Sequence, residues 1–259
     1  MPSIRTNAAQ RTLRHPPNRR FDEDRPPQHR WIRVVDLCGA TAGLVLLAPL
    51  WILCTVLILI EDGRPVLFRQ QRVGRYGNIF FILKFRTMRD ASRGRCITAA
   101  GDPRVTRVGS WLRRLKLDEL PQFINVLRGE MSLIGPRPEV PEYVESNHTL
   151  WRKVLAFRPG ITDLASLAWR NEEDILARAA DPEAFYRRVI LPDKLMLNLQ
   201  YQGVRSLWRD VNLLWLSARY SFFPRGFDRI RIVRSLGFRS YDGAPVGAGI
   251  PRKGIETPL

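Results

Sequence analysis

Residues 37–60 read LCGATAGLVLLAPLWILCTVLILI, twenty-four consecutive residues without a charge. On length alone this is a membrane-crossing candidate. Two features argue against a simple crossing. Pro49 sits at the middle, where it removes a backbone donor and clashes with the preceding turn, so a helix must kink or break there. Both flanks are also basic, with Arg30 and Arg33 before the segment and Arg64, Arg69, Arg72 and Arg75 after it. Lysine and arginine favour the cytoplasmic side, so two basic flanks favour keeping both ends there. A re-entrant helix-break-helix satisfies both observations. One spanning helix with a tolerated proline, or a buried core helix, remain the alternatives. Asp36, at the start of the run, reads as a helix cap or an arginine partner.

Outward from this segment, 259 residues with 45% hydrophobic content suffice for one or two domains with a real core. The net charge of +17 implies an anionic partner: nucleic acid, an anionic bilayer or a phosphorylated substrate. A nucleic-acid binder has no use for the apolar segment. Cys38 and Cys54 lie within that segment, and neither pairs with Cys96 at metal-site spacing, which fits a reduced, cytosol-facing protein. Residues 1–30, with five prolines and many arginines, read as a disordered basic extension without a signal-peptide pattern. The Gly- and Pro-rich tail from about residue 240 reads as flexible.

Between these ends, Arg64–Gly74 and Ile79–Met88 are β-prone runs around a glycine turn, a hairpin signal. Alternation places Lys84 and Arg86 on one strand face, as two site cations or as a solvated edge. Residues 103–117 and 204–223 carry apolar residues, including Trp111, Trp208 and Trp215, at helical spacing with arginines between them. That pattern suits helices lying in the headgroup region or covering a core. Leu120, Phe123, Ile124 and Leu127 then predict a helix ending at Gly129, with Asp118 and Glu119 in its first turn or cap. Carboxylates there often serve only the helix dipole. The neighbours argue for more: Arg113, Arg114 and Lys116 come before the pair, and Gly135-Pro136-Arg137-Pro138 holds an arginine on a rigid loop. Arginine suits bidentate phosphate binding, and a carboxylate can attack phosphorus once the phosphate charge is neutralised by arginines and a hard divalent cation. None of the three histidines is placed for catalysis or ligation; His29 and His148 read as surface residues.

LKFRTM at 83–88, LDELPQFINVLRGEMSLIGPRPE at 117–139 and RPGIT at 158–162 resemble the bacterial sugar transferases, the monotopic polyprenyl-phosphate phosphoglycosyl transferases. The resemblance runs from about Arg33 to about Tyr220. It implies a small-form enzyme of the bacterial inner membrane, facing the cytoplasm, that moves a sugar phosphate from a UDP-sugar to polyprenyl phosphate and releases UMP. Asp118 would be the nucleophile and a Mg²⁺ ligand, and Glu119 its helper as a base. Lys84, Arg86, Arg113, Arg137, Pro138 and Arg158 would bind substrate, Arg158 having an equally good claim as a turn residue. After RPGIT many relatives continue Gly-Trp-Ala-Gln, whereas this chain continues Asp163-Leu164-Ala165-Ser166, as in another branch, which leaves the sugar open. Ala48 stands where many relatives have a serine before the break proline. The expected fold is α+β and mainly helical, with the re-entrant segment at 31–62, interfacial amphipathic helices, and a small β-hairpin or sheet within a catalytic domain at 63–225. Residues 226–259 form a C-terminal extension. A homo-oligomer and a non-catalytic membrane scaffold for polysaccharide assembly remain possible readings.

Overall fold

Two helices carry the apolar segment, α1 (Arg30–Leu46) and α2 (Ala48–Asp62), with a 60° bend between them. The computed structural model describes residues 30–89, 102–145, 148–223 and 226–238; the expectations for residues 1–29, for Cys96 and for the tail beyond 240 lie outside them. Pro49 falls in the first turn of α2, where its missing N–H costs nothing. The proline therefore starts the second helix and leaves the break at Leu47. No single helix among the described residues is long and apolar enough to cross a membrane, whereas the bent pair passes that test together.

One face of α1 is built to sit on the domain. Arg33, Asp36, Ala40 and Gly43 recur at three- and four-residue spacing, one side of a helix. Arg33 donates to the carbonyls of Val126 and Leu127 at 2.7 and 3.0 Å, at the open C-terminal end of α4 (Gln122–Arg128). Gly43 lets Phe123 close in, since a Cβ there would stand 2.9 Å from its ring. Asp36 is neither a cap nor exposed. The helix starts at Arg30, two turns earlier than the apolar run suggests, so Asp36 lies inside it and is buried. Its Oδ1 accepts from Ser132 Oγ and from the Leu133 N–H, both at 2.8 Å. Asp36→Ala would orphan both buried donors, and the expected cost is about 3 kcal/mol, measurable as a lower unfolding midpoint of the detergent-held protein.

The second helix, α2, rests Cys54 and Ile58 on Phe85, Leu112 and Leu117, with Trp51 edge-on to Phe85. Its last turn holds the domain by charge. Glu61 accepts the N–H groups of Arg107 and Val108 at 2.8 Å each, capping α3 (Arg107–Arg114). The opposite faces of the pair are bare and apolar, with Leu46 and Ile60 about three-quarters exposed.

Strands β1 (Leu67–Val73) and β2 (Ile79–Phe85) form the expected antiparallel hairpin, Leu67 opposite Phe85 and Val73 opposite Ile79. A second, parallel pair joins β3 (Ser132–Ile134) to β4 (Gly160–Thr162). Both of its ends require glycine. A Cβ on Gly135 would lie 2.3 Å from the Arg158 carbonyl oxygen, and one on Gly160 only 2.1 Å from the Gly135 nitrogen.

Around these strands the chain is helical: α5 (Thr149–Leu155), α6 (Leu164–Ala168), α7 (Glu172–Ala177), α8 (Pro182–Phe185), α9 (Leu191–Gly203), α10 (Leu207–Phe222) and α11 (Arg229–Ser235), with a π turn at Tyr186–Ile190 between α8 and α9. Trp151, Leu164, Leu197, Leu213 and Val233 meet in the main core. Residues 226–238 therefore pack with the domain, through Phe227, Ile232 and Val233. His148 caps α5, its Nδ1 accepting from the Leu150 N–H. Helix α10 follows its predicted range and leaves Trp208, Trp215, Leu207 and Val211 exposed beside its arginines, while α3 buries Leu112 and half-exposes Trp111.

Candidate active site

Asp118 and Glu119 lie in a 3₁₀ turn, Leu117–Glu119, one turn before α4 begins. The sequence pattern places them in the first turn or cap of that helix; instead Pro121 occupies the cap. Lys116 just before the turn adopts left-handed backbone, φ 59°, which reverses the chain after α3. A lysine held there stores about 1 kcal/mol of strain. The reversal tucks both carboxylates inside, 7% and 8% exposed.

Asn125, on α4, fixes this turn against the hairpin. Its side-chain oxygen accepts the Leu83 N–H at 3.0 Å and its amide nitrogen donates to the Phe81 carbonyl at 2.8 Å, as a neighbouring strand would. Lys84, next to Leu83 on β2, then reaches the acid pair: its Nζ stands 3.1 Å from Glu119 Oε1 and 3.9 Å from Asp118 Oδ2. From the other side, Arg137 donates to Glu119 Oε1 at 2.6 Å and Oε2 at 3.4 Å. Asp118 Oδ1 is buried with no hydrogen-bond partner.

The two carboxylates are thereby driven apart. Burial pushes Asp118 above the usual carboxylate range, against the pull of Lys84 and helped by the charge of Glu119. Burial would raise Glu119 as well, but Arg137 and Lys84 hold it well below that range. Glu119 in turn holds Arg137 above its ordinary value, and burial lowers Lys84. While both cations hold it, Glu119 is a weak base. A phosphate that draws Lys84 and Arg137 away would raise it. Removing its charge has a definite sign: Glu119→Gln deletes a neighbour that raises Asp118 and frees Lys84, whose charge lowers it. The acid limb of any Asp118-dependent activity is expected to move to lower pH, as a pH–rate profile would read; a limb moved upward would contradict this electrostatic arrangement.

The structure brings together Asp118, Glu119, Lys84 and Arg137. Arg113 pairs with Glu173, at the start of α7, and its positive field reaches Asp118. Pro138 offers its carbonyl to Arg72 at 3.1 Å. Two expected site residues turn elsewhere. Arg86 is held by α2, with Nη2 2.9 Å from Asp62 Oδ2 and within 2.8 Å of the Asp62 and Gly63 carbonyls. The strand ends at Phe85, so the alternation pairing it with Lys84 lapses there. The Arg158 carbonyl stands against Gly135, and its guanidinium lies in the field of Arg33 and Asp36 rather than of the acid pair.

Sequence reasoning passed over Arg72, Glu139, Asn125 and Asp163. Arg72 lies 3.8 Å from Glu139, which also accepts from Tyr186 at 2.7 Å. The signal for Asn125 was a polar residue amid the apolar spacing of α4. Arg72 counted only as a basic flank.

The sequence model of the family described as "Bacterial sugar transferase" matches residues 27–223. Among relatives, the chain is 37% identical over 205 residues to an undecaprenyl-phosphate glucose phosphotransferase of Komagataeibacter xylinus, covering 74% of this chain and 36% of that one. It is 35% identical over 196 residues to the UDP-glucose:undecaprenyl-phosphate glucose-1-phosphate transferase of Escherichia coli K12, covering 73% and 40%. To the exopolysaccharide production protein ExoY of Rhizobium meliloti it is 38% identical over 165 residues, covering 57% and 73%. The chain thus spans about two fifths of the length of the first two relatives and most of the third. The matched region contains both apolar helices, the acid turn and the arginine loop, and with that extent the chain belongs to the bacterial sugar transferase family.

Proposed function

We propose that this chain transfers a sugar 1-phosphate from a UDP-sugar to polyprenyl phosphate, releasing UMP, through a phosphosugar carried on Asp118. The observation that carries this reading is Asp118 Oδ1: a buried carboxylate oxygen with no protein partner, beside two cations that face a shared acid. Such an oxygen is costly to keep unless it does chemistry. The names of the relatives, undecaprenyl-phosphate sugar phosphotransferases, support the same substrates.

In the first step an Asp118 oxygen attacks the β-phosphorus, the bond from that phosphorus to the bridging oxygen breaks, and UMP leaves with the electron pair. In the second, an oxygen of polyprenyl phosphate attacks the same phosphorus and Asp118 leaves as carboxylate, giving a polyprenyl-diphosphate-linked sugar. Lys84 and Arg137 hold the phosphate oxygens, Arg113 adds positive field, and Glu119 keeps both cations aimed until substrate arrives, then accepts a proton if the lipid phosphate brings one. The residues fit a hard divalent cation. Asp118 would hold it, and since no cluster of three or more acidic, His or Cys side chains stands ready among the described residues, phosphate oxygens and water would complete its shell. Bound Mg²⁺ supplies charge neutralisation at the diphosphate.

The bent pair α1–α2 is read as a re-entrant segment in the bacterial inner membrane, with the site on the cytoplasmic face and α10 in the headgroup region. Exposed apolar faces on the pair and on α10 support this placement. The lipid phosphate then meets the site without leaving the bilayer. The pathway served is the start of exopolysaccharide, capsule, O-antigen or glycan synthesis. In a cysteine-free background, labels near residues 25 and 75 are expected to react only from the cytoplasm; labels on opposite sides would establish a spanning helix.

Purified protein offered a panel of UDP-sugars should release UMP with at least one of them, dependent on polyprenyl phosphate for turnover and on Mg²⁺. No release with any sugar would favour a non-catalytic scaffold.

A further inference from the structure

Past the β3–β4 ladder, the Gly135-Pro136-Arg137-Pro138 loop has few ways to be held. The ladder's last bond to it is from the Gly135 N–H to the Thr162 carbonyl, 3.1 Å, with the Gly160 N–H returning to the Pro136 carbonyl at 3.0 Å. Proline has no N–H. Across residues 136–138 the Arg137 amide is therefore the one backbone donor available.

Asp163 takes it. This residue lies between β4 and α6, 2% exposed, and its two carboxylate oxygens serve two elements. Oδ1 accepts the Ser166 N–H and caps α6. Oδ2 accepts the Arg137 N–H at 2.6 Å. A cap needs only the first oxygen, and serine, threonine or asparagine would serve it equally well. The second oxygen is the feature to explain. Arg137 points the other way, its guanidinium 2.6 Å from Glu119, so the bond at its backbone sets where its charge stands.

We propose that Asp163 is a positioning residue for Arg137: its second carboxylate oxygen anchors the proline-bracketed loop so that the guanidinium faces Glu119 and the phosphate being transferred. The catalytic part of this rests on the function proposed above; the anchoring does not. Phosphoryl transfer tolerates little displacement of the groups that neutralise charge, and a shift of about 1 Å can cost a hundredfold.

Asp163→Ser separates the two jobs, since a serine hydroxyl still caps α6 but offers no oxygen to Arg137. Two measurements are made on the full chain in detergent or nanodiscs. Hydrogen exchange followed by mass spectrometry reads the Arg137 amide, which has no competing amide at 136 or 138; Asp163→Ser is expected to speed its exchange at least tenfold while α6 stays protected. UMP release from a radiolabelled UDP-sugar is expected to fall at least tenfold in Asp163→Ser, yet to change less than twofold when the same substitution is added to Arg137→Ala. Should Asp163→Ser fail to fold, Asp163→Thr, whose hydroxyl likewise caps α6 and offers no second oxygen to Arg137, gives the same pair of readings. Unchanged exchange at Arg137 overturns the anchor. Equal losses with Arg137 intact and with Arg137→Ala already in place overturn its catalytic purpose and leave a structural carboxylate. Faster exchange in a protein whose unmodified form releases no UMP would sustain the anchor and overturn the transferase reading instead.

Discussion

Asp118→Asn is expected to abolish sugar-phosphate transfer, by roughly 10⁴-fold or more, and at the same time to make the protein more stable. The first half follows from the nucleophile: an amide oxygen cannot form and release an acyl phosphate. The second follows from electrostatics. Burial raises Asp118 above its unfolded value, so the charged form is favoured by the unfolded chain, and at neutral pH the folded state bears the cost of keeping it ionised. A neutral isostere removes that cost. Activity and unfolding midpoint measured on the same preparation should move in opposite directions, as at other sites where function is kept at the expense of stability. A variant that loses activity because it unfolds would show both falling.

Arg137→Ala is the second large effect, and it should lower both quantities. The guanidinium is the bidentate partner of buried Glu119, and removing it leaves that buried charge with Lys84 alone, an under-compensated pair that costs about 3 kcal/mol. It also removes a charge-neutralising donor from the phosphate, worth about a thousandfold in turnover. The two losses separate in a double variant. Glu119→Gln with Arg137→Met leaves no stranded charge, so the unfolding midpoint should recover most of its fall while activity does not. Chemical denaturation and UMP release read the two halves; recovery of both would mean that Arg137 acts only through folding.

How much of this was legible beforehand differs from element to element. The apolar segment gave its break and its two basic flanks, because proline and charge act locally. Asp36 was misplaced, since its partners Ser132 and Leu133 lie nearly a hundred residues away and no spacing announces them. The hairpin was visible in alternation and a glycine turn. The parallel pair β3–β4 was not: strands of three residues, β3 buried throughout and β4 partly so, are too short to show an alternation. Within the site, Asp118, Glu119 and Arg137 stood out through residue type, and Lys84 through strand alternation. That same alternation misled for Arg86, where the strand had already ended and Asp62 took the side chain. Asn125 and Asp163 act on backbone groups of a distant segment; the polar position within the apolar spacing of α4 marks Asn125 but does not name its partners, and nothing local marks the second oxygen of Asp163.

The central claim is that Asp118 carries the sugar phosphate, and intact-protein mass spectrometry tests it most directly. Purified protein would be incubated with a UDP-sugar that it accepts, with Mg²⁺ and without polyprenyl phosphate, then digested and mapped. The predicted result is one added sugar-phosphate mass on the peptide containing Asp118, lost when polyprenyl phosphate is supplied and absent in Asp118→Asn. Turnover of the same UDP-sugar with no adduct on any peptide, or with an adduct on another residue, would contradict it.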